Sequence, residues 1–324
     1  FWYATKANRA SAKFQIQKTR AEREKTRAED NLQLAIESLD EVYRRAITTD
    51  RSLADADSKD VVPSLSEGER HLIEAGLVFY ERLAQLNGDD ASIRQRVGDA
   101  YGQIGWLRST LGEHQAARKA FETAVARYQE LAAEYPKSRD YAWGLAAATK
   151  GLAWQTSSAI DSVERRQSLL KQSVDAWSRC LKLNPQDAKA LQERASVYWM
   201  LGDVQSAQAD IERAIECDPG NPDHYAQICR LLRNEISAGA KVLEYAEQAV
   251  RLDPENADYR VELAVILANQ RKKNASFAQL QKALELDPKC VAAHCRLSRH
   301  HLRQRNFDQA MAHADQAVEL NPLD

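Results

Sequence analysis

Five residues near the C-terminal end have the donor types for a metal: Cys290, His294, Cys295, His300 and His301 fall within twelve positions. Thiolate and imidazole groups suit zinc, which needs four donors converging in a tetrahedron. On a helix His294 and His301 stand two turns apart on one face, whereas Cys295 and His300 point elsewhere. The spacing therefore predicts packing histidines and no metal. Gly98, Gly102 and Gly105 raise a second possibility, a phosphate-binding loop, but steps of four and three place them on one helix face and no strand precedes them. They are expected to be close helix contacts. Asn274-Ala-Ser276 fits a glycosylation sequon, with Ser276 at a packing position. No serine–histidine–acid grouping is present, so neither catalysis nor a cofactor is expected.

What remains is a set of cations and aromatic surface that could grip a peptide. Lys189, Gln192, Trp199, Arg230, Arg233, Arg299 and Arg303 share one helical phase. Arginine takes a carboxylate through two parallel, charge-assisted hydrogen bonds, and an indole supplies an apolar anchor. The chemistry expected is docking of a protein or peptide partner, acidic or with a free C-terminus.

The elements that must position these groups are set by a proline ruler. Pro185, Pro219, Pro254, Pro288 and Pro322 are 34, 35, 34 and 34 residues apart, each closing a phrase such as Leu181-Lys-Leu-Asn-Pro185 or Leu284-Glu-Leu-Asp-Pro288. A fixed period of this length means stacked copies of one supersecondary unit. Apolar residues recur at helical spacing in two helices per unit, joined by a turn near Gly202-Asp203 or Arg305-Asn306. With the closing proline as position 32, position 27 is Ala214, Ala249, Ala283 and Ala317. Position 8 is Ala195, Cys229, Ala264 and Ser298, and position 20 is Ala207, Val242, Ser276 and Ala310. Small side chains at these places let two helices approach closely. The fold class is all-α, a helical-hairpin solenoid.

Tyr198, Gly202, Ala207, Ala214 and Pro219 stand where the tetratricopeptide repeat has its signature residues, and the chain resembles that family over four consecutive units. The resemblance implies a right-handed superhelix with first helices lining a concave face. Positions 2, 5, 9 and 12 face it and include six of the seven residues named above, with Arg303 beside them. The family's two-carboxylate clamp uses lysine and asparagine at positions 5 and 9. Here those places hold Gln192 and Ser196, Ala226 and Arg230, and Cys295 and Arg299, so a chaperone-tail clamp is not expected.

Upstream the units are longer. Residues 91–135 place Gly105, Gly112, Ala117, Phe121 and Ala124 at positions 8, 15, 20, 24 and 27. Residues 140–183 carry Ser173, Trp177 and Cys180 at positions 20, 24 and 27, with the extra residues assigned to a turn around Ile160–Arg166. Ser66-x-x-Glu69 resembles a capping box, opening a helix in which Ala75, Phe79 and Leu83 match a second-helix pattern. The chain is expected to divide into a long juxtamembrane or coiled-coil-like helix (1–49), a loop (50–65), divergent long repeats (66–183) and a regular array (184–324).

Charged residues are 28% of the 324 and the net charge is −2, so nothing in the overall composition points at nucleic acid or a membrane surface. Five irregularly spaced cysteines make no disulfide framework. No apolar run reaches the ~20 residues of a membrane span. Phe1-Trp2-Tyr3 precedes Lys6, Arg9, Lys13, Lys18 and Arg20 with no acid among the first twenty residues, which reads as the interfacial end of a span upstream of Phe1. Anchoring through that segment, with the repeats in water on either side of the membrane, is one expectation; a cytoplasmic protein is the other. The missing initiator methionine and the end at Pro322-Leu-Asp324 suggest a piece of something longer. Asp30-Asn-Leu-Gln-Leu-Ala-Ile-Glu-Ser-Leu-Asp-Glu-Val42, Leu131-Ala-Ala-Glu-Tyr-Pro136 and Arg139-Asp-Tyr141 resemble the region after the membrane helix of large bacterial receptor-like serine/threonine protein kinases. That resemblance implies a sensor or docking arm whose catalytic domain lies upstream. These 324 residues hold no kinase signature.

Overall fold

The computed structural model describes residues 18–20, 67–85, 90–156, 160–233 and 239–320. The chain divides into two units, Phe1–Thr49 and Asp50–Asp324. Of the first, only Lys18, Thr19 and Arg20 are described, and they are helical. The expected helix over 1–49, apart from these three residues, and the loop over 50–65 lie outside the described residues.

Among the described residues the second unit is built of helices alone: α1 (Glu67–Ala84), α2 (Ala91–Thr110), α3 (His114–Glu134), α4 (Arg139–Trp154), α5 (Ile160–Leu183), α6 (Ala188–Leu201), α7 (Val204–Cys217), α8 (Pro222–Leu232), α9 (Gly239–Leu252), α10 (Ala257–Asn269), α11 (Lys273–Leu286), α12 (Val291–Arg303) and α13 (Phe307–Leu320). Each packs on its neighbours in sequence, and α2 also touches α4 as α8 touches α10. Such nearest-neighbour packing defines a solenoid.

The boundaries follow from local chemistry. Asp90, Ser138, Asp187, Asp203, Asn221 and Asn256 each cap a helix by accepting from a first-turn N–H. Position 15, between the two helices of a hairpin, is left-handed in Gly112 (φ 76°), Gly202 (φ 82°), Arg271 (φ 63°) and Arg305 (φ 63°). Glycine takes this conformation freely and arginine does not.

In the regular half the small positions are the seam. Ala214, Ala249, Ala283 and Ala317 are buried, as are Ala195, Cys229 and Ala264. Where positions 8 and 20 carry a hydroxyl or thiol, it bonds a main-chain carbonyl across the hairpin. Ser276 Oγ donates to Ala264 O at 2.7 Å, Ser298 Oγ to Ala310 O at 2.8 Å and Cys229 Sγ to Val242 O at 3.4 Å. The Asn274 sequon therefore has its serine inside a helix–helix contact.

The divergent half packs otherwise. A Cβ added to Gly98 would lie 2.9 Å from the Tyr128 ring, and one on Gly144 2.2 Å from the same ring. Gly105 and Gly151 stand likewise at 2.8 and 2.4 Å from Phe121. Two aromatic rings of α3 are thus each held between a glycine of α2 and a glycine of α4. Gly98 and Gly105 are close contacts as expected. Gly102 is not: its Cβ direction is open to at least 4 Å, because it is turned about 40° or more from the phase that Gly98 and Gly105 nearly share.

Two further expectations are corrected. Ile160–Arg166 is helix, not turn, so the unit's extra length goes into α5, whose 24 residues compare with 14 in α7. In α1 the buried face is Ile73, Leu77, Tyr80 and Leu83, while Ala75 is exposed and Phe79 half-buried. The larger apolar side chains, not the alanine, set that face, since burial scales with apolar area.

Candidate functional site

The seven groove residues come from three helices. α6 supplies Lys189, Gln192 and Trp199, α8 and the residue after it supply Arg230 and Arg233, and α12 supplies Arg299 and Arg303. Trp199 is 43% exposed, and Leu302, in the same phase of α12, is 56% exposed. Arg230, Arg299 and Arg303 are exposed and make no ion pair with a described residue. Lys189, by contrast, is occupied: its Nζ lies 3.3 Å from Gln192 Oε1 and 3.3 Å from Glu193 Oε1. Main-chain carbonyls of Gln192 and Arg233 accept from Gln227 Nε2 (3.3 Å) and Asn269 Nδ2 (3.0 Å) of the next first helix.

Several concave-face positions are covered. Ala226, Val261, Val265 and Ala292 are buried, because successive first helices lean on one another. Tyr259 marks one such contact, donating to Asp223 Oδ1 at 2.6 Å. Burial, and then that bond to Asp223, pushes its phenol well above the ordinary range, so the proton stays on tyrosine and Asp223 stays engaged. The open surface is therefore narrower than the repeat positions imply: Trp199, Arg230, Arg299, Leu302 and Arg303, apolar at its two ends.

A polar seam beneath this surface ties repeats together. Arg139 Nε donates to Asp187 Oδ2 at 2.9 Å, joining α4 to the cap of α6. Arg194 holds both carboxylate oxygens of the buried Asp210 at 2.7 Å and Ser178 Oγ at 2.9 Å. Lys150 pairs with Glu193. Burial would raise the Glu193 carboxyl, but Lys150 and Lys189 together hold it down at about 2. Sequence reasoning missed these groups, although Glu193, Gln227, Glu262 and Arg296 form one polar column at position 6.

The Cys/His group does not make a metal centre. No set of three or more His, Cys, Asp or Glu among the described residues is arranged to hold a metal ion. Cys290 is buried on α12's entry, its thiol pushed up to about 11 by burial. His294 and His301 are each 7% exposed. His294 turns to a partner the sequence grouping did not include, His313 on α13.

No described helix is long and apolar enough to cross a membrane.

These features define a class first: a solenoid of helical hairpins. Tetratricopeptide-repeat models match residues 162–222, 243–289 and 271–324, and a further one matches 98–130. The chain belongs to the tetratricopeptide-repeat family. It is 24% identical over 154 residues to Hsp70-Hsp90 organizing protein 1 of Glycine max, covering 47% of this chain and 27% of that protein. The match thus spans about a quarter of that relative's length. Among solved structures, the APC/C hetero-tetramer Cut9-Hcn1 aligns at 13% identity and a TM-score of 0.51, covering 79% of this chain and 46% of that one. The pilF structure of Pseudomonas aeruginosa aligns at 17% identity and a TM-score of 0.48, covering 71% and 95%.

Proposed function

We propose that this chain is a non-catalytic interaction scaffold that docks an acidic peptide segment, or a peptide C-terminus, on the face formed by Trp199, Arg230, Arg299, Leu302 and Arg303. One observation carries the reading: three exposed arginines without an ion pair to any described residue lie in the same helical phase as two exposed large apolar side chains. Exposed cations on a helix are ordinarily solvated and contribute little to stability. Here the acid in the same phase of α8, Asp223, accepts from Tyr259 and makes no ion pair with Arg230. Lys189 contributes less than its position suggests, because Glu193 already holds it. The similarity to Hsp70-Hsp90 organizing protein 1 supports a protein partner, while Gln192, Ser196, Ala226 and Cys295 depart from a lysine–asparagine carboxylate clamp.

The test is fluorescence anisotropy on the full chain with labelled peptides of matched length, acidic or neutral, each with a free or amidated C-terminus. The expected result is preference for acidic peptides, weakened by salt and reduced at least tenfold in Arg230→Ala/Arg299→Ala/Arg303→Ala. Equal affinity for acidic and neutral peptides, or no loss in the variant, would remove this face from the reading.

A second reading makes the chain the sensor or docking arm of a membrane-anchored bacterial serine/threonine kinase. It is supported by Phe1-Trp2-Tyr3 ahead of five basic residues and by the phrases around Asp30 and Leu131. The reading frame upstream of Phe1 decides it: a kinase signature followed by about 20 apolar residues is expected.

A further inference from the structure

The last hairpin, α12 and α13, holds three imidazoles against one another. His294 Nε2 lies 3.1 Å from Pro288 O, and His294 Nδ1 lies 3.0 Å from His313 Nδ1. A carbonyl only accepts, so Nε2 of His294 must carry a hydrogen. The neutral His294 then offers a lone pair at Nδ1, and His313 donates from its own Nδ1. His301 lies over His313 with ring planes 7° apart and centroids at 5.6 Å. Its Nδ1 is buried without a hydrogen-bond partner.

This arrangement counts protons. With one added proton the His294–His313 bond survives, since the cation donates to the neutral ring. With a proton on each, two N–H groups face each other at 3.0 Å and the bond becomes a repulsion. A proton on His301 would add a buried cation, stacked on a neighbour that is itself titratable.

Few charges surround the cluster. From α11, Glu285 lines a cavity of about 480 Å³ shared with His301 and His313, and Phe277 stands edge-on to His301. His300 is disfavoured as a cation by burial first, and then by His301, Lys273 of α11 and Arg303. From the turn before α12 the contact is the Pro288 carbonyl. From α13 the titratable member is His313 itself, whose basicity is lowered by burial and then by His294 and His301. Glu285 is the acid facing the cavity, enough to accompany one positive charge.

We infer that the terminal repeat is an acid-operated latch: α12 and α13 stay packed while the His294–His301–His313 cluster holds no more than one added proton, and they separate on the second. The sign follows from linkage. In the packed state His313 is held below the ordinary imidazole range by burial and then by His294 and His301, so that state binds fewer protons than an open one, in which the ring regains its ordinary value of about 6.5. Packing is therefore complete above about pH 6.5 and is lost progressively below it.

The experiment is amide hydrogen exchange on the full chain between pH 7.5 and 5, expressed as protection relative to the unstructured rate at each pH. The α4–α5 hairpin, which contains no histidine, serves as the internal reference. Protection in α12–α13 should fall about tenfold per pH unit below about 6.5 for each proton excluded, while α4–α5 holds. The α6–α7 hairpin is a poorer reference because its neighbour α8 carries the buried His224, neither of whose ring nitrogens is hydrogen-bonded and whose Nε2 lies 3.9 Å from Asp218 Oδ2. His313→Leu should flatten the acid loss in α12–α13. If that variant leaves α12–α13 unprotected at every pH, His294→Gln, whose amide can still donate to Pro288 O, should show a shallower dependence than the parent. An acid loss equal in α12–α13 and α4–α5, or one unchanged in whichever variant folds, would overturn the inference.

Discussion

The two halves of the array solve one packing problem in opposite ways. In α6–α13 the hairpins close on alanine, serine and cysteine, small against small, with hydroxyls fastened to the facing main chain. In α2–α4 they close on size contrast, an aromatic ring set between two glycines, twice, seven residues apart on each helix. The first arrangement holds a small side chain at every seam position, from the methyl of Ala214 to the branched Val242. The second has no room for one. Helical propensity favours alanine over glycine by about 1 kcal/mol, so in α2 and α4 propensity is subordinate to fit.

Exchanging glycine and alanine between the halves is the way to break this contrast. Gly144→Ala places a methyl 2.2 Å from the Tyr128 ring and should cost about 3 kcal/mol, at the upper end of overpacking effects, read as a lowered urea midpoint. Combining it with Tyr128→Leu should recover part of the loss, a non-additivity expected only of groups in contact. The converse change, Ala214→Gly, should cost about 1–2 kcal/mol through propensity and a lost buried methyl. If both substitutions gave the same sign and size as at an exposed helix site, the contrast would be empty.

The boundary between the halves is where pH should separate them. Glu193 of α6, held at about 2 by Lys150 of α4 and Lys189, gives stability that is present above its unfolded value near 4.5 and lost as pH falls toward 2. Glu193→Gln should therefore be less stable than the parent at pH 7, with the gap in thermal midpoint narrowing below about pH 4.5 and closing only as pH reaches about 2. The smallest expected effects are gains. Arg271→Gly relieves a left-handed arginine at φ 63° and should add about 1 kcal/mol. Gly102→Ala, with its Cβ direction open, should add about 0.5–1 kcal/mol.

Much of the regular half was readable from its residues. The proline ruler fixed the period, and the alanine, serine and cysteine positions it defined are buried where they were placed, apart from Ser298, which is only partly buried. The divergent half was not, because its fit depends on pairs far apart in sequence. Gly98 and Gly144 meet through one ring of a third helix, and no local spacing records that. The groove failed in part for a related reason: repeat positions give a side chain's direction on its own helix, not whether the next helix covers it, as with Ala226 and Val261. His313 escaped notice because it lies on the second helix, outside the Cys/His run. A signal did exist in the repeat frame. Arg260 reaches Gln279 across positions 4 and 23, and His294 reaches His313 across the same pair.

The glycine-clasped rings also act as keys in a lock. With Phe121 and Tyr128 seated in matching notches on both sides, α2 and α4 cannot slide along α3 by a fraction of a turn without driving backbone into a ring. A seam of methyl groups has no such teeth and yields to small shear. Any widening or twisting that a partner imposes on this superhelix must then be taken up in the alanine-seamed portion, the same portion that carries Trp199, Arg230 and Arg299, while the keyed portion behaves as a stiff handle.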